Sequence, residues 1–345
     1  MCISNLKKQL SYWGLLLFIL SCSERDVEVE EAYSFQQPVH FPAATYTLDN
    51  NPVSKKGFLL GKKLFNDPIL SRDGSVSCSS CHLQATAFAD SRQHPLSIGV
   101  DNRKGVRNAP SLANLAFIKE FFWDGGVTHL DFTPLNAIEA SFEMDEKVEN
   151  VIGRLNANEE YQQLFRKAFG IEEVTTPYML HALSQFMVMM VSDNSRYDQY
   201  LLGTGELTPD ELHGLELFES KCGACHSGVL QSDFSYRNNG LDENPIDSGR
   251  TRITENRSDW GKFRVPSLRN IALTAPYMHD ARFETLDEVL IHYREGIQYS
   301  ETLDPLLEKS LGITMTDEEQ EQIIQFLKTL TDRELISDSR FFTTQ

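Results

Sequence analysis

Two five-residue stretches hold the residues best suited to chemistry: Cys78-Ser79-Ser80-Cys81-His82 and Cys222-Gly223-Ala224-Cys225-His226. Both read C-x-x-C-H, the spacing of c-type haem attachment. Thiols two residues apart sit on one turn and reach the two vinyl groups of a single porphyrin. The histidine that follows is held under the iron as its proximal ligand. Cys and His are also zinc ligands, and paired thiols also form disulfides. Two complete copies in one chain favour haem over both. They imply redox chemistry at two irons, with Cys78, Cys81, Cys222 and Cys225 binding the porphyrins and His82 and His226 binding the metal.

The elements that position these motifs belong to a chain of 345 residues, enough for two ordinary domains, with one motif in each half. Of the six cysteines, only Cys2 and Cys22 lie outside the motifs. The N-terminus reads as an export signal over 1–21: Lys7 and Lys8, then an apolar core from Leu15 to Leu20 too short to span a bilayer. It ends at Ile19-Leu20-Ser21-Cys22, which resembles the lipobox of bacterial lipoproteins. Cys22 is then the expected lipid carrier, ordinary signal cleavage being the alternative. Residues 22–50 read as a tether of Ser, Glu, Asp and Pro. The expected location is exported, on the periplasmic side, touching the membrane through the lipid alone.

Formal charge is −18; without the leader, thirty basic residues face fifty acidic ones, which is −20. Such a surface argues against nucleic acid and suits a small cationic protein partner, such as a cytochrome c, steered in by the field. Oligomeric state is open, a homodimer included.

Apolar periodicity places a helix over 53–66, a short one over 111–118, amphipathic helices over 145–156 and 158–169, and a core helix over 177–191. Thr208-Pro209-Asp210-Glu211, Thr285-Leu286-Asp287-Glu288 and Thr316-Asp317-Glu318-Glu319 are capping-box starts. The polar stretch 228–262 reads as a loop over the second haem. No stretch alternates with period two. The expected fold is all-α: two cytochrome-c-like helical domains, 51–204 and 205–335, joined near Gly203-Thr204-Gly205, each with one haem and long loops.

With these motifs in view, the chain resembles the bacterial di-haem cytochrome c peroxidases and their MauG-type relatives from about Gly57 to Leu330. The carriers are Gly61-Lys62-Lys63-Leu64-Phe65, both C-x-x-C-H motifs, the run Arg107 to Leu112, Phe122-Trp123-Asp124-Gly125, Glu143-Met144, the run Val265 to Asn270 and the run Thr274 to Asp280. The resemblance implies a peroxide-reacting haem on His82 and an electron-transfer haem on His226. It makes Trp123 the relay between them and Glu143 the acid–base group that moves a proton between the oxygens of hydrogen peroxide. It also implies a calcium ion held by the Asn108 side chain and by the backbone carbonyls of Thr274 and Pro276. Thr133 stands where the family has a glutamine.

Two departures bear on mechanism. Val100 occupies the place of a histidine that caps the resting peroxide haem in the peroxidases, and His94 lies six residues too early. Tyr293 aligns with the distal methionine of the second haem, as in MauG-type proteins, with Met278 and His292 as fallbacks. Three functions compete: a peroxidase drawing electrons from an exported donor, a MauG-type oxidase acting on a protein or organic substrate, and a plain electron carrier.

Overall fold

The computed structural model describes residues 32–90 and 96–342. Cys2, Cys22, the leader and His94 lie outside them. Helix α1 (Lys55–Asn66) opens on Ser54, whose Oγ accepts from the Gly57 amide at 3.0 Å. After the first C-x-x-C-H turn come α2 (Thr133–Glu139), α3 (Val148–Ala157), α4 (Glu159–Phe169), α5 (Thr176–Met187) and α6 (Arg196–Leu201). The second half has α7 (Pro209–Lys221), α8 (Leu286–Ile291), α9 (Asp317–Thr329) and α10 (Arg333–Ser337), plus an antiparallel pair of two-residue strands, β1 (Tyr236–Arg237) and β2 (Phe263–Arg264). All three expected capping boxes close; at α7 the Thr208 amide donates to Glu211 Oε2 at 2.8 Å. Each such cap contributes about 0.5–2 kcal/mol.

The buried apolar side chains form two clusters. The first gathers Phe58, Leu64, Phe165 and Phe186 around α1 and α5, and the second Phe218, Ile323, Phe326 and Leu330 around α7 and α9. The two helix pairs are built alike. A Cβ on Gly61 of α1 would lie 1.9 Å from the Ala182 carbonyl oxygen of α5, and one on Gly214 of α7 would lie 2.0 Å from that of Gln322 of α9. Only glycine permits helices this close. Four residues on from each glycine stands a phenylalanine, Phe65 or Phe218, whose ring centroid lies 6.5 or 6.3 Å from that of His82 or His226. One Gly-x-x-Leu-Phe helix per histidine is thus the scaffold of both motifs.

Several elements differ from the sequence expectation. The helix expected over 111–118 is a single 3-10 turn, Leu115–Phe117, because Asn114 before it is left-handed at φ 65°. The helix expected from 145 starts at Val148, because Asp145 has φ 50°. Residues 33–50, part of the expected tether, are packed against the protein instead. Phe41 and Tyr46 are buried in the first cluster, and Tyr46 donates to Asp131 at 2.8 Å. His40 Nε2 meets Asp198 Oδ1 at 2.8 Å, and the guanidinium of Arg269, which also pairs with Asp198, lies over the Phe41 ring at 5.0 Å. Residues 333–342, beyond or at the end of the expected second domain, return to the first cluster through Leu335 and Phe341. Among the described residues no helix is long and apolar enough to cross a membrane.

Candidate functional site

Both C-x-x-C-H motifs fold into the same tight turn. The His82 amide donates to the Cys78 carbonyl at 2.9 Å, and the His226 amide to the Cys222 carbonyl at 2.9 Å. No two of these four cysteines are joined in a disulfide. Burial pushes the Cys78 and Cys222 thiols up to about 12. Among the described residues no group of three His, Cys, Asp or Glu side chains could hold a metal ion, which counts against the zinc reading.

Each imidazole is oriented by a backbone carbonyl. His82 Nδ1 lies 2.7 Å from the Phe88 oxygen, and His226 Nδ1 lies 3.0 Å from that of Gln231. A carbonyl oxygen only accepts, so each Nδ1 carries the proton and each Nε2 keeps its lone pair. Burial lowers both imidazole pKa values, holding them in the neutral, ligating form. Phe88 at φ 61° and Gln231 at φ 52° are both left-handed without being glycine. No propensity rule flags these acceptors in the sequence.

Glu143 follows α2 on a turn in which its amide donates to the Ala140 carbonyl at 2.9 Å. The Gly99-Val100 loop holds it from the other side: the Val100 amide donates to the Glu143 carbonyl at 2.8 Å, and a Cβ on Gly99 would collide with Glu143 backbone. Burial raises the Glu143 carboxyl to about 7, and its charge is felt at Cys78. Val100 itself is fully buried.

A cavity of about 440 Å³ holds the second motif, with Cys222, Cys225, His226, Trp123, Met278 and Tyr293 on its wall. Trp123 is fixed by its indole N–H, which donates to the Asn108 carbonyl at 2.9 Å. Tyr293 sits on a π-helical turn, His292–Gly296, that prolongs α8; such turns recur at functional sites. Its hydroxyl and the Met278 sulfur both lie on the amide of Asn239, at 3.4 and 3.5 Å. Burial pushes the phenol up to about 12. His292 Nε2, the other fallback, lies 3.1 Å from the Asn239 carbonyl.

Asn108 and Pro276 are brought together: the Asn108 amide donates to the carbonyls of Pro276 at 2.6 Å and Met278 at 3.2 Å, and Thr274 lines the same cavity. Turning the amide over would point its oxygen at two carbonyl oxygens, a neutral donor set that fits calcium only with added water. Sequence reasoning missed Arg264, a cation in the cavity wall suited to a haem propionate. Burial lowers the Arg264 pKa, and its Nε donates to the Phe122 carbonyl at 3.3 Å. It also missed the ties of the 228–262 loop to the Trp123 turn. Arg107 bridges Asp124 and Asp247 at 2.6 Å each, and Arg250 donates to the Asp124 carbonyl at 2.8 Å. Aligned charges were visible in the sequence; their pairing depends on tertiary contact.

Residues 55–206 match the family model for di-haem cytochrome c peroxidase. The chain is 32% identical to cytochrome c551 peroxidase of Pseudomonas aeruginosa, over 93% of this chain and 91% of that protein. It is 34% identical to the methylamine utilization protein MauG of Methylorubrum extorquens, over 81% of this chain and 79% of that one. Its fold superposes on the crystal structure of a MauG-like protein associated with microbial copper homeostasis, with a TM-score of 0.82, 35% identity, and coverage of 89% and 98%. With both attachment turns, both oriented histidines and this likeness over nearly its whole length, the chain belongs to the di-haem cytochrome c peroxidase and MauG family.

Proposed function

We propose that the protein reduces hydrogen peroxide to water with two electrons from an exported donor such as a small cationic cytochrome c. The observation that carries this is Glu143: a half-buried carboxyl, clamped by the Gly99-Val100 loop, raised towards neutrality by desolvation, and within electrostatic reach of the first attachment turn. His82 would hold a haem, which when bound would supply the peroxide-binding iron and take up the oxidising power of peroxide. Glu143 takes a proton from one peroxide oxygen and delivers it to the other; the O–O bond breaks, and two electrons and two further protons complete two waters. Trp123, packed in the wall of the second cavity and fixed by Asn108, is the electron relay between the haems on His82 and His226. Asn108, Thr274 and Pro276 would hold a calcium ion through their oxygens and so tie Trp123's hydrogen-bond partner to the cavity wall; chelation should slow turnover without releasing haem. Export and lipid attachment through Cys22 complete the reading; Cys22→Ser should free the protein from the membrane fraction.

The test is peroxide added to the purified holoprotein with reduced cytochrome c, where two cytochromes oxidised per peroxide is the expected result. The second reading, a MauG-type oxidase, is favoured by the Tyr293 phenol in the second cavity, since tyrosinate ligation stabilises higher oxidation states of iron. Peroxide consumed only when a protein or organic substrate is present would establish it. Tyr293→Phe should then change the low-spin spectrum of the haem on His226. The same change from Met278→Leu instead would assign the ligand to methionine.

A further inference from the structure

We propose that the C-terminal tail is part of the first haem site: through Phe341 it holds the Phe88 carbonyl on His82 and so sets the donor strength of that ligand. The inference rests on the reading that His82 carries a haem.

The tail reaches the site by a defined route. Asp332 caps α10, accepting from the Glu334 and Leu335 amides at 3.0 and 3.2 Å. Gln84, two residues beyond His82, donates to the carbonyls of Leu335 at 3.0 Å and Asp338 at 2.9 Å. Lys62 of α1 donates to the Arg340 carbonyl at 2.6 Å. These contacts seat Phe341, only 4% exposed, among Phe58, Phe88 and Phe186, with ring centroids 5.8, 5.5 and 5.6 Å away. A cavity of about 100 Å³ beside His82 has Phe65, Phe88, Phe186 and Phe341 on its wall.

Phe88 is the residue whose carbonyl takes the His82 Nδ1 proton, and it does so from a left-handed conformation that a phenylalanine adopts only when its surroundings impose it. The ring of Phe341, meeting that of Phe88 nearly at right angles, is one of those surroundings. A hydrogen bond from the distal nitrogen of a ligating imidazole to a carbonyl raises the basicity of the ligand. Weakening it lowers donation to the iron and stabilises the ferric state less. The second motif provides the contrast. Gln231, which does the same for His226, is held by its amide bond to the Gly228 carbonyl at 2.9 Å; Phe88 has the matching local bond, its amide to the Leu83 carbonyl at 2.8 Å, and carries the Phe341 ring in addition. The tail therefore acts on one haem and not on the other.

The experiment is a spectroelectrochemical titration of the holoprotein, with the two haems resolved, for Phe341→Ala, Phe341→Leu and Gln84→Ala, with the half-exposed neighbour variant Phe342→Ala as control. The midpoint potential of the haem on His82 is expected to rise in Phe341→Ala and in Gln84→Ala, to return towards the parent value in Phe341→Leu, and to stay put in Phe342→Ala, with the haem on His226 unmoved throughout. Gln84→Ala loosens the tail without emptying the core and decides the matter if Phe341→Ala does not fold. Unmoved potentials, or equal shifts at both haems, would overturn the inference. A protein without haem on His82 would end the haem reading and this inference together, whereas a haem on His82 indifferent to the tail ends this inference alone.

Discussion

At Glu143 burial outweighs every other influence on the carboxyl, and the sign of the consequence can be worked out. Its folded pKa of about 7 stands above the ordinary 4.5. The folded chain therefore holds this proton more tightly than the unfolded one, and the ionised group costs stability: nothing below pH 4.5, rising to the full amount above about 7. At 1.36 kcal/mol per unit the gap corresponds to about 3 kcal/mol. Glu143→Gln removes that cost. The variant should melt higher than the parent at pH 8 and nearly with it at pH 5, in paired thermal scans. Function moves the other way. Proton transfer from peroxide needs the carboxylate, so the rate constant for reaction with peroxide should fall as pH drops through about 7, and Glu143→Gln should lose about 10²–10⁴-fold at pH 8 together with that pH dependence. A variant that keeps the parent's rate in stopped flow would remove Glu143 from the mechanism.

At the scale of elements, the loop around Gly99 and Val100 decides how the first haem rests. The Val100 amide is tied to Glu143 and its side chain is fully buried, offering no lone pair to an iron. The ferric protein as isolated should show a high-spin component and react with peroxide without prior reduction. Val100→His should convert that component to low spin and impose a need for pre-reduction. A purely low-spin parent spectrum would point to a substitute ligand and against this account. What the sequence disclosed follows the range of the forces involved. Capping boxes such as Thr208 with Glu211 are settled within four residues and were legible. The box of Ser195 with Asp198 is equally local, but the further bonds of Asp198 to Arg269 and His40, from distant parts of the chain, were not legible. The same holds for the left-handed Asn114, which cuts the expected helix over 111–118 to one turn, and whose side chain is held by the Ser192 backbone. Cys78, His82, Cys222 and His226 were legible because covalent attachment fixes residue types and spacing. The Phe88 and Gln231 carbonyls were not, because a backbone acceptor leaves no mark on side-chain identity.

For the molecule as a whole the governing quantity is charge. Thirty-two basic against fifty acidic residues, a formal charge of −18, give a field of the sign that would draw a cationic partner from beyond contact distance. Several acids are neutralised locally by ion pairs, as Asp233 and Asp304 are by Arg237 and Asp242 and Asp280 are by Arg282. The remaining excess acts through solvent, where it is screened over about 10 Å at 0.1 M salt and about 3 Å at 1 M. Local chemistry at Glu143 and the buried cavity is shielded from salt by the protein around it. The two steps should therefore separate by ionic strength. With a basic cytochrome c as donor, the second-order rate of cytochrome oxidation should fall steeply as salt rises from 0.01 to 0.5 M, while the rate of reaction with peroxide in the absence of donor stays flat. An acidic cytochrome of similar potential should be slow at low salt and gain with added salt. A donor rate independent of ionic strength for both cytochromes would mean that the net negative charge serves solubility alone, and that the physiological donor is recognised by short-range contacts or is a small neutral molecule.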